Sequence, residues 1–152
     1  MKISKFLTPS QIVLDLTTED KTETLCALVR VLVENSLLPE DKSQEVLNLL
    51  LERENLASTG LGYGVALPHI KTNLVNRTCI VFGRSAKGVE FEALDGNPVN
   101  LLFLILSPER ETEDYLKILS SLSGLMKDPD VRAGLMGAKT VDEVLKILNR
   151  PV

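Results

Sequence analysis

The chain has 152 residues, of which 44% are hydrophobic and 25% charged, and its net charge is -4 at pH 7. This length and composition predict a single domain over residues 1–152 with a core of ordinary size. The acidic balance argues against a nucleic-acid partner, because phosphate backbones bind clustered positive charge. We expect neither a signal peptide nor membrane insertion, since polar residues interrupt the N-terminal apolar stretch and no apolar run reaches spanning length.

Two helices are predicted in the first third of the chain. Apolar residues recur with the helical period from Leu25 to Leu32, which predicts a helix over roughly residues 20–35. A second helix is predicted from Pro39 and the acidic residues after it to Arg53, near its C-terminal end. Cys26 and Cys79 fall in apolar patterns without metal-ligand spacing, so we expect both in the core of a protein from a reducing cytoplasm.

The segment after the second helix combines glycines with a histidine. Residues 57–64 carry three glycines and no apolar periodicity, which predicts a loop with close backbone approach or positive φ. Residues 65–68 follow as a short extended piece. His69, which comes next, is the single histidine of the chain. An imidazole of ordinary pKa is mostly neutral near pH 7 and keeps one nitrogen lone pair.

Strands are predicted in the middle of the chain. Residues 77–83 and 99–106 are nearly continuous apolar runs, typical of central strands covered on both faces. Residues 89–94 alternate like a half-exposed edge strand, and residues 95–98 read as a turn between antiparallel strands.

Three more helices are predicted in the last third. The first begins near Thr112 and has Tyr115 on its inward face. The second is short and runs from Asp128-Pro129 to about Gly137. The last begins with a capping box at Thr140 and ends before Pro151. The order of helices, strands and helices predicts an α/β fold, in which helices sandwich a mixed sheet of about five strands.

Hydrogen-bond donors of three kinds bracket the imidazole of His69. They are the guanidinium of Arg53, the hydroxyls of Ser58 and Thr59, and the backbone of Gly60, Gly62 and Gly64. Such donors describe a pocket for a small oxyanion, with a nucleophile at its mouth. A plain glycine turn is the competing interpretation for the loop alone.

Other chemistry fits these residues poorly. The loop lacks the Gly-Lys-Ser/Thr of a phosphate loop, and Val65 stands where a dinucleotide fingerprint needs its third glycine. One histidine and two apolar-pattern cysteines do not supply a metal site, and no Gly-x-Ser-x-Gly elbow is present. We therefore expect no metal and no cofactor, and interpret His69 as a phosphoryl acceptor.

The motif from Arg53 to His69 resembles that of a known family, the mannitol/fructose-type Enzyme IIA domains of the bacterial phosphoenolpyruvate-dependent sugar phosphotransferase system. An Arg-Glu pair at a helix end, a Ser-Thr-Gly-x-Gly-x-Gly loop and a hydrophobic-Pro-His ending match in residue type and spacing. Residues 89–103 look like the nitrogen-regulatory branch of this family. The resemblance covers nearly the whole chain and implies the Enzyme IIA fold.

The resemblance also implies function. His69 would accept a phosphoryl group from HPr or an HPr-like carrier, Arg53 would bind the phosphoryl oxygens and the 58–64 loop would shape the pocket. A cytoplasmic regulatory protein of the nitrogen type, acting on a downstream regulatory target, is the first interpretation. A stand-alone fructose/mannitol-type sugar component that passes the phosphoryl group to a membrane permease subunit is the second, and a non-phosphorylated protein-binding module is the third.

The chain departs from the family pattern at one position. Tyr115 stands where the family usually carries a second histidine, in the first turn of the helix after the long central strand. A phenol can donate a hydrogen bond to a phosphoryl oxygen but carries no positive charge at neutral pH. Tyr115 is therefore a candidate replacement for that histidine, and a core aromatic residue is the alternative.

Overall fold

A computed structural model describes residues 2–150 of the chain. Its helices are α1 (Lys21–Glu34), α2 (Ser43–Leu56), α3 (Thr112–Met126), α4 (Pro129–Gly137) and α5 (Val141–Leu148). Its strands are β1 (Ile12–Val13), β2 (Gly60–Gly62), β3 (Val65–Ala66), β4 (His69–Lys71), β5 (Cys79–Val89) and β6 (Val99–Ser107). These bounds confirm the predicted order of helices, strands and helices.

The six strands within residues 2–150 form one mixed sheet. Strands β5 and β6 pair antiparallel at its centre, with Phe82 opposite Phe103. Strand β1 extends the sheet parallel to β5, and β2 pairs antiparallel with β3 at the other edge. Both β3 and β4 run parallel to β6, one after the other along its length. The sheet thus has one strand more than the predicted five, because very short segments complete it.

Helices cover both faces of this sheet, as the sequence predicted. Side chains such as Phe103 and Ile105 on one face of β6 pack in a core with α3, α4 and α5, and Leu102 and Leu104 on the other face pack with α1 and α2. Every residue from Leu101 to Ser107 is buried. A strand with helices on both faces needs apolar side chains at consecutive positions, which explains the uninterrupted apolar run.

Side-chain caps fix the starts of α1, α4 and α5. The Asp20 carboxylate accepts the Glu23 amide at the start of α1, and Asp128 accepts the Asp130 amide before α4. Thr140 accepts the Glu143 amide at the start of α5, while the Glu143 carboxylate accepts the Lys139 amide. Such caps satisfy amides that have no partner inside the helix.

The predicted edge strand at residues 89–94 is wrong. Strand β5 runs on to Val89 through an irregular register, Glu90 makes only an isolated bridge to Asp20, and Glu92 takes a φ of +55° that breaks the extended path. The alternation has another cause, because Phe91 is buried in the core beside α1 and α2 while the backbone around it is irregular. The turn after it closes between Ala93 and Gly96.

The loop prediction for residues 57–64 also needs correction, because β2 lies within it. Gly60 pairs with Ala66 and Gly62 with Val65, so the glycines form a tight hairpin with β3.

The prediction that both cysteines are core residues is wrong for Cys26. Cys79 is buried, whereas Cys26 is exposed on α1. Cys26 follows Leu25 directly, and consecutive helical residues point about 100° apart, so Cys26 falls outside the buried stripe.

The two thiols should therefore differ in reactivity. Burial raises the pKa of Cys79 to about 12, and only a thiolate attacks a disulfide reagent. We expect a thiol-reactive disulfide to label one cysteine in the folded protein and the second only in denaturant. Cys26→Ser should abolish labelling of the folded protein. Two rapidly labelled thiols in the folded protein, or labelling that survives Cys26→Ser, would contradict the assignment.

Candidate functional site

His69 is the first residue of β4, and hydrogen bonds hold the backbone on both sides of it. His69 lies opposite Ile105 in the parallel ladder with β6. The Ile105 amide donates to the Pro68 carbonyl at 2.9 Å, and the Leu67 amide donates to the Thr59 carbonyl at 3.0 Å. The backbone that carries the imidazole is therefore tied both to the central strand and to the start of the glycine hairpin.

The imidazole of His69 is half-buried and its orientation is fixed by the backbone. Its Nδ1 atom lies 2.5 Å from the Leu67 carbonyl oxygen. Because a carbonyl oxygen can only accept, Nδ1 carries the hydrogen and donates it. The lone pair of the neutral ring then resides on Nε2, which is the nitrogen that can act as a nucleophile.

Neighbouring groups shift the pKa of His69 below its ordinary value. Burial is the largest cause, and the positive charge of Arg53 lowers the pKa further. The hydrogen bond to Leu67 and the negative charge of Glu54 act in the opposite direction without reversing the effect of burial. The ring is therefore neutral near pH 7, with the Nε2 lone pair available.

Arg53 lies in the last turn of α2 and is half-buried. Its Nη1 donates to the Ala57 carbonyl at 2.8 Å, which closes the end of the helix and orients the guanidinium. This bond uses one of several N–H donors on the fork. The charge of Arg53 acts on both His69 and Tyr115, so the three side chains form one group.

Tyr115 lies beside His69 from the first turn of α3. The two ring centroids are 6.0 Å apart with an interplanar angle of 58°. Tyr115 is 7% exposed, and burial raises the pKa of its phenol to about 12. The hydroxyl at this position is therefore a neutral hydrogen-bond donor.

The two hydroxyl residues of the loop have different surroundings. The Thr59 hydroxyl is buried and donates to a carboxylate oxygen of Glu54 at 2.5 Å, so its hydrogen is not directed at an anion beside His69. The Ser58 hydroxyl accepts the Gly60 amide at 3.1 Å and keeps its own hydrogen for another acceptor. Of these two, only Ser58 can donate to a ligand in this arrangement.

The glycines allow the hairpin to turn and to approach its neighbours. Gly62 and Gly64 have φ values of +89° and +75°, and Tyr63 between them has +59°. A side chain at Gly60 would place its Cβ 2.8 Å from the Cβ of Ala93. The Gly64 carbonyl accepts amides from Asn100 and Leu101, which fastens the hairpin to β6. Positive φ at Gly62 and Gly64 and close packing at Gly60 therefore explain why glycine occupies these positions.

Glu54 is a site residue to which the sequence interpretation gave no role of its own. Its carboxylate accepts the Thr59 amide at 3.1 Å as well as the Thr59 hydroxyl, and Lys21 Nζ lies 3.4 Å from it. The sequence shows the Arg-Glu pair near the end of the second helix, but the spacing of these residues does not show that Glu54 points inward. A carboxylate five residues before a threonine in a glycine loop is the signal that could have identified the contact.

The described part of the chain contains neither a metal-binding cluster nor a membrane-spanning helix. Between residues 2 and 150, no three side chains of His, Cys, Asp or Glu are grouped closely enough to hold a metal ion. No helix in that range has the length and apolar character needed to cross a membrane.

Comparison with known proteins assigns the chain to a family. The family model described as "Phosphoenolpyruvate-dependent sugar phosphotransferase system, EIIA 2" matches residues 5–150. The crystal structure of nitrogen regulatory protein IIA-Ntr from Neisseria meningitidis is 37% identical, with a TM-score of 0.88 over 96% of this chain and 98% of that one. The IIA mannitol crystal structure from Escherichia coli is 27% identical, with a TM-score of 0.76 over 91% of this chain and 96% of that one.

One relative is much longer than this chain. The fructose-specific EIIABC component of Bacillus subtilis is 36% identical over 150 residues, which are 99% of this chain but 23% of that protein. The family model, the structural neighbours and this relative agree on one assignment: the chain belongs to the type-2 EIIA family of the phosphoenolpyruvate-dependent sugar phosphotransferase system.

Proposed function

We propose that His69 accepts a phosphoryl group on Nε2 from HPr or an HPr-like carrier, and that the protein passes this group on or signals through its phosphorylation state in the cytoplasm. The hydrogen bond from Nδ1 to the Leu67 carbonyl is the observation that carries this proposal. It leaves the Nε2 lone pair on a neutral ring beside a guanidinium, which is the arrangement that a phosphoryl acceptor requires.

The chemistry is a transfer between two imidazoles. The Nε2 lone pair of His69 forms a bond to phosphorus while the bond from phosphorus to the donor imidazole breaks, and that electron pair returns to the donor nitrogen. The hydrogen stays on Nδ1 throughout and remains hydrogen-bonded to the Leu67 carbonyl. Such transfers depend on positioning and charge stabilisation more than on covalent assistance. Arg53 supplies charge to the phosphoryl oxygens, and Ser58 and the Tyr115 hydroxyl supply neutral donors.

Exposed apolar side chains on the elements that carry the site support a protein as the phosphoryl donor. The large exposed apolar side chains within residues 2–150 are Leu56, Leu61, Tyr63, Leu94, Leu116 and Met136, and four of them, Leu56, Leu61, Tyr63 and Leu116, lie on α2, in the glycine hairpin or on α3.

Neighbouring residues link Leu116, Met136 and Leu94 to the site or to the glycine hairpin. Leu116 follows Tyr115, and Arg132 on α4 stacks 4.5 Å from the Tyr63 ring centroid, one helical turn before Met136. Leu94 follows Ala93, which lies against Gly60. Exposed apolar patches of this kind mark protein-binding surfaces.

The regulatory role and the sugar-transport role remain separate proposals. The nitrogen-type interpretation rests on residues 89–103, and the similarity to IIA-Ntr of N. meningitidis supports it. The sugar-component alternative gains similar support from the fructose-specific relative. In the first case the phosphorylated protein acts on a regulatory target, and in the second its phosphoryl group passes to a permease subunit. A non-phosphorylated binding module is the further alternative, and Tyr115 is the observation that favours it.

The central test is phosphorylation itself. We expect the protein to gain one acid-labile phosphoryl group when incubated with phosphoenolpyruvate, Enzyme I and HPr, and His69→Ala to abolish the gain, because no other imidazole is present. Intact-mass measurement detects the group, and omission of HPr is the control. A phosphorylated His69→Ala protein would refute the acceptor assignment, and an unmodified parent protein would favour the binding module.

Replacement of Arg53 by lysine tests the role of the guanidinium fork. Lysine keeps the charge but loses the bidentate geometry, so Arg53→Lys should slow phosphorylation while the circular dichroism spectrum stays unchanged. Loss of one charge-assisted contact costs about 1.5 to 3 kcal/mol, or roughly ten- to hundredfold in rate. Arg30→Lys is the matched control, since Arg30 is exposed on α1 and pairs with Glu40. Equal rates in the parent protein and Arg53→Lys would remove Arg53 from the reaction.

Tyr115 can be tested in both directions. Tyr115→Phe should reduce the transfer rate several-fold at most, because one neutral hydrogen bond contributes about 0.5 to 1.5 kcal/mol. Tyr115→His should restore or raise the rate relative to Tyr115→Phe, because an imidazole is a donor that can titrate near neutral pH. Quenched-flow or gel-shift kinetics of phosphorylation would measure both. Kinetics indifferent to both substitutions would show that Tyr115 acts only as a packing residue.

A further inference from the structure

The Glu54 carboxylate is the most buried charged group of the site. Its side chain is 1% exposed, and three donors point at it: the Thr59 amide, the Thr59 hydroxyl and the Lys21 ammonium. Arg53 and Glu54 are consecutive in α2 and therefore point in different directions. The end of this helix thus places a cation whose charge acts on His69 and an anion in the interior beside Thr59 of the glycine hairpin.

The lysine that faces Glu54 comes from a distant element. Lys21 is the first residue of α1, where the helix dipole disfavours a positive charge. Its side chain is only 13% exposed, and Nζ lies 5.1 Å from the Phe91 ring centroid. Desolvation opposes such a buried pair, and apolar side chains of similar volume often stabilise a protein as well or better. Stability alone is therefore a weak explanation for the pair.

Hydrogen bonds link Glu54 to Thr59, Thr59 to Leu67 and Leu67 to His69. The carboxylate holds the amide and the hydroxyl of Thr59. The carbonyl of Thr59 accepts the Leu67 amide at 3.0 Å. The carbonyl of Leu67 accepts the Nδ1 hydrogen of His69 at 2.5 Å. The backbone of Leu67 therefore joins the hydrogen bond from Thr59 to the acceptor that fixes the imidazole.

We propose that Glu54 is the positioning residue of this site: by holding Thr59 it fixes the Leu67 carbonyl, and through that carbonyl the tautomer and orientation of His69, while Lys21 compensates its charge. This inference rests on the proposed function for its effect on phosphoryl transfer, but its effect on the His69 ring is independent of that function. The negative charge of Glu54 also raises the pKa of His69, opposite to the effect of Arg53.

Glu54→Gln is the primary test variant. Glutamine keeps the volume of the side chain but has a single acceptor oxygen, so at least one of the three donors loses its partner. Nitrogen-15 NMR of the labelled imidazole should show a lower His69 pKa and a smaller fraction of the Nδ1–H tautomer than in the parent protein. Phosphorylation by phospho-HPr should slow by up to about a hundredfold, the size of effect expected when a reacting group is misplaced.

Glu52→Gln is the matched control, because it removes the same charge from an exposed position of the same helix. Its His69 signals and phosphorylation rate should equal those of the parent protein. Unchanged His69 signals in Glu54→Gln, or identical changes in Glu52→Gln, would overturn the proposal. If the parent protein accepts no phosphoryl group while the His69 signals respond to Glu54→Gln, the proposed function fails and the positioning role stands.

Two substitutions at Thr59 test the connection between Glu54 and His69 without changing charge. They also test the positioning role of Glu54 if Glu54→Gln does not fold. Thr59→Val removes the hydroxyl bond to Glu54, whereas Thr59→Ser keeps it. We expect Thr59→Val to change the tautomer fraction and slow the transfer, and Thr59→Ser to behave like the parent protein. Equal behaviour of the two variants would overturn the proposal.

Discussion

The pairing of β6 with its neighbours is the constraint on which the rest of the structure depends. This strand pairs with β5 on one side and with β3 and then β4 on the other, so a single buried strand sets the position of both ends of the segment from Val65 to His69. Because side chains alternate across the sheet, a slip of one residue would turn His69 to the opposite face. The core opposes such a slip, since it would take the buried side chain of Ile70, next to His69 on β4, out of the core that includes α1 and α2.

The chemistry of His69 depends on a balance between burial and charge. Burial and Arg53 favour the neutral ring, whereas Glu54 and the Leu67 carbonyl favour the protonated one. The same arrangement serves two needs of a phosphoryl acceptor, because a neutral ring has a lone pair for attack and a nearby guanidinium compensates the incoming negative charge. Tyr115 adds a hydrogen-bond donor without adding charge, since its phenol has a pKa of about 12. A second histidine at that position would add a group that titrates near neutral pH.

The glycine hairpin shows how backbone polar groups are satisfied beside His69. Its residues cannot use ordinary ladder bonds throughout, because Gly62, Tyr63 and Gly64 all have positive φ. The hairpin is fastened instead at its two ends, by Glu54 through Thr59 and by Asn100 and Leu101 through the Gly64 carbonyl. Buried polar groups that are fully paired give rigidity, and rigid donors cost little reorganisation when an anion binds. The exposed side chains between the two anchors remain available to a partner surface.

The sequence by itself determined the helices, the two long strands and the segment from Arg53 to His69, because periodicity, capping residues and motif spacing are local properties of the chain. The sequence pattern predicted a buried Cys26, which is exposed, because one step along a helix separates a buried from an exposed position. It also predicted a strand at residues 89–94, where Phe91 is buried in irregular backbone. Only the tertiary structure decided which ring nitrogen of His69 carries hydrogen, that Thr59 faces Glu54, and that Lys21 reaches the same carboxylate from another helix. These features depend on contacts between residues far apart in the chain or on the direction of a side chain, and neither is encoded in local spacing.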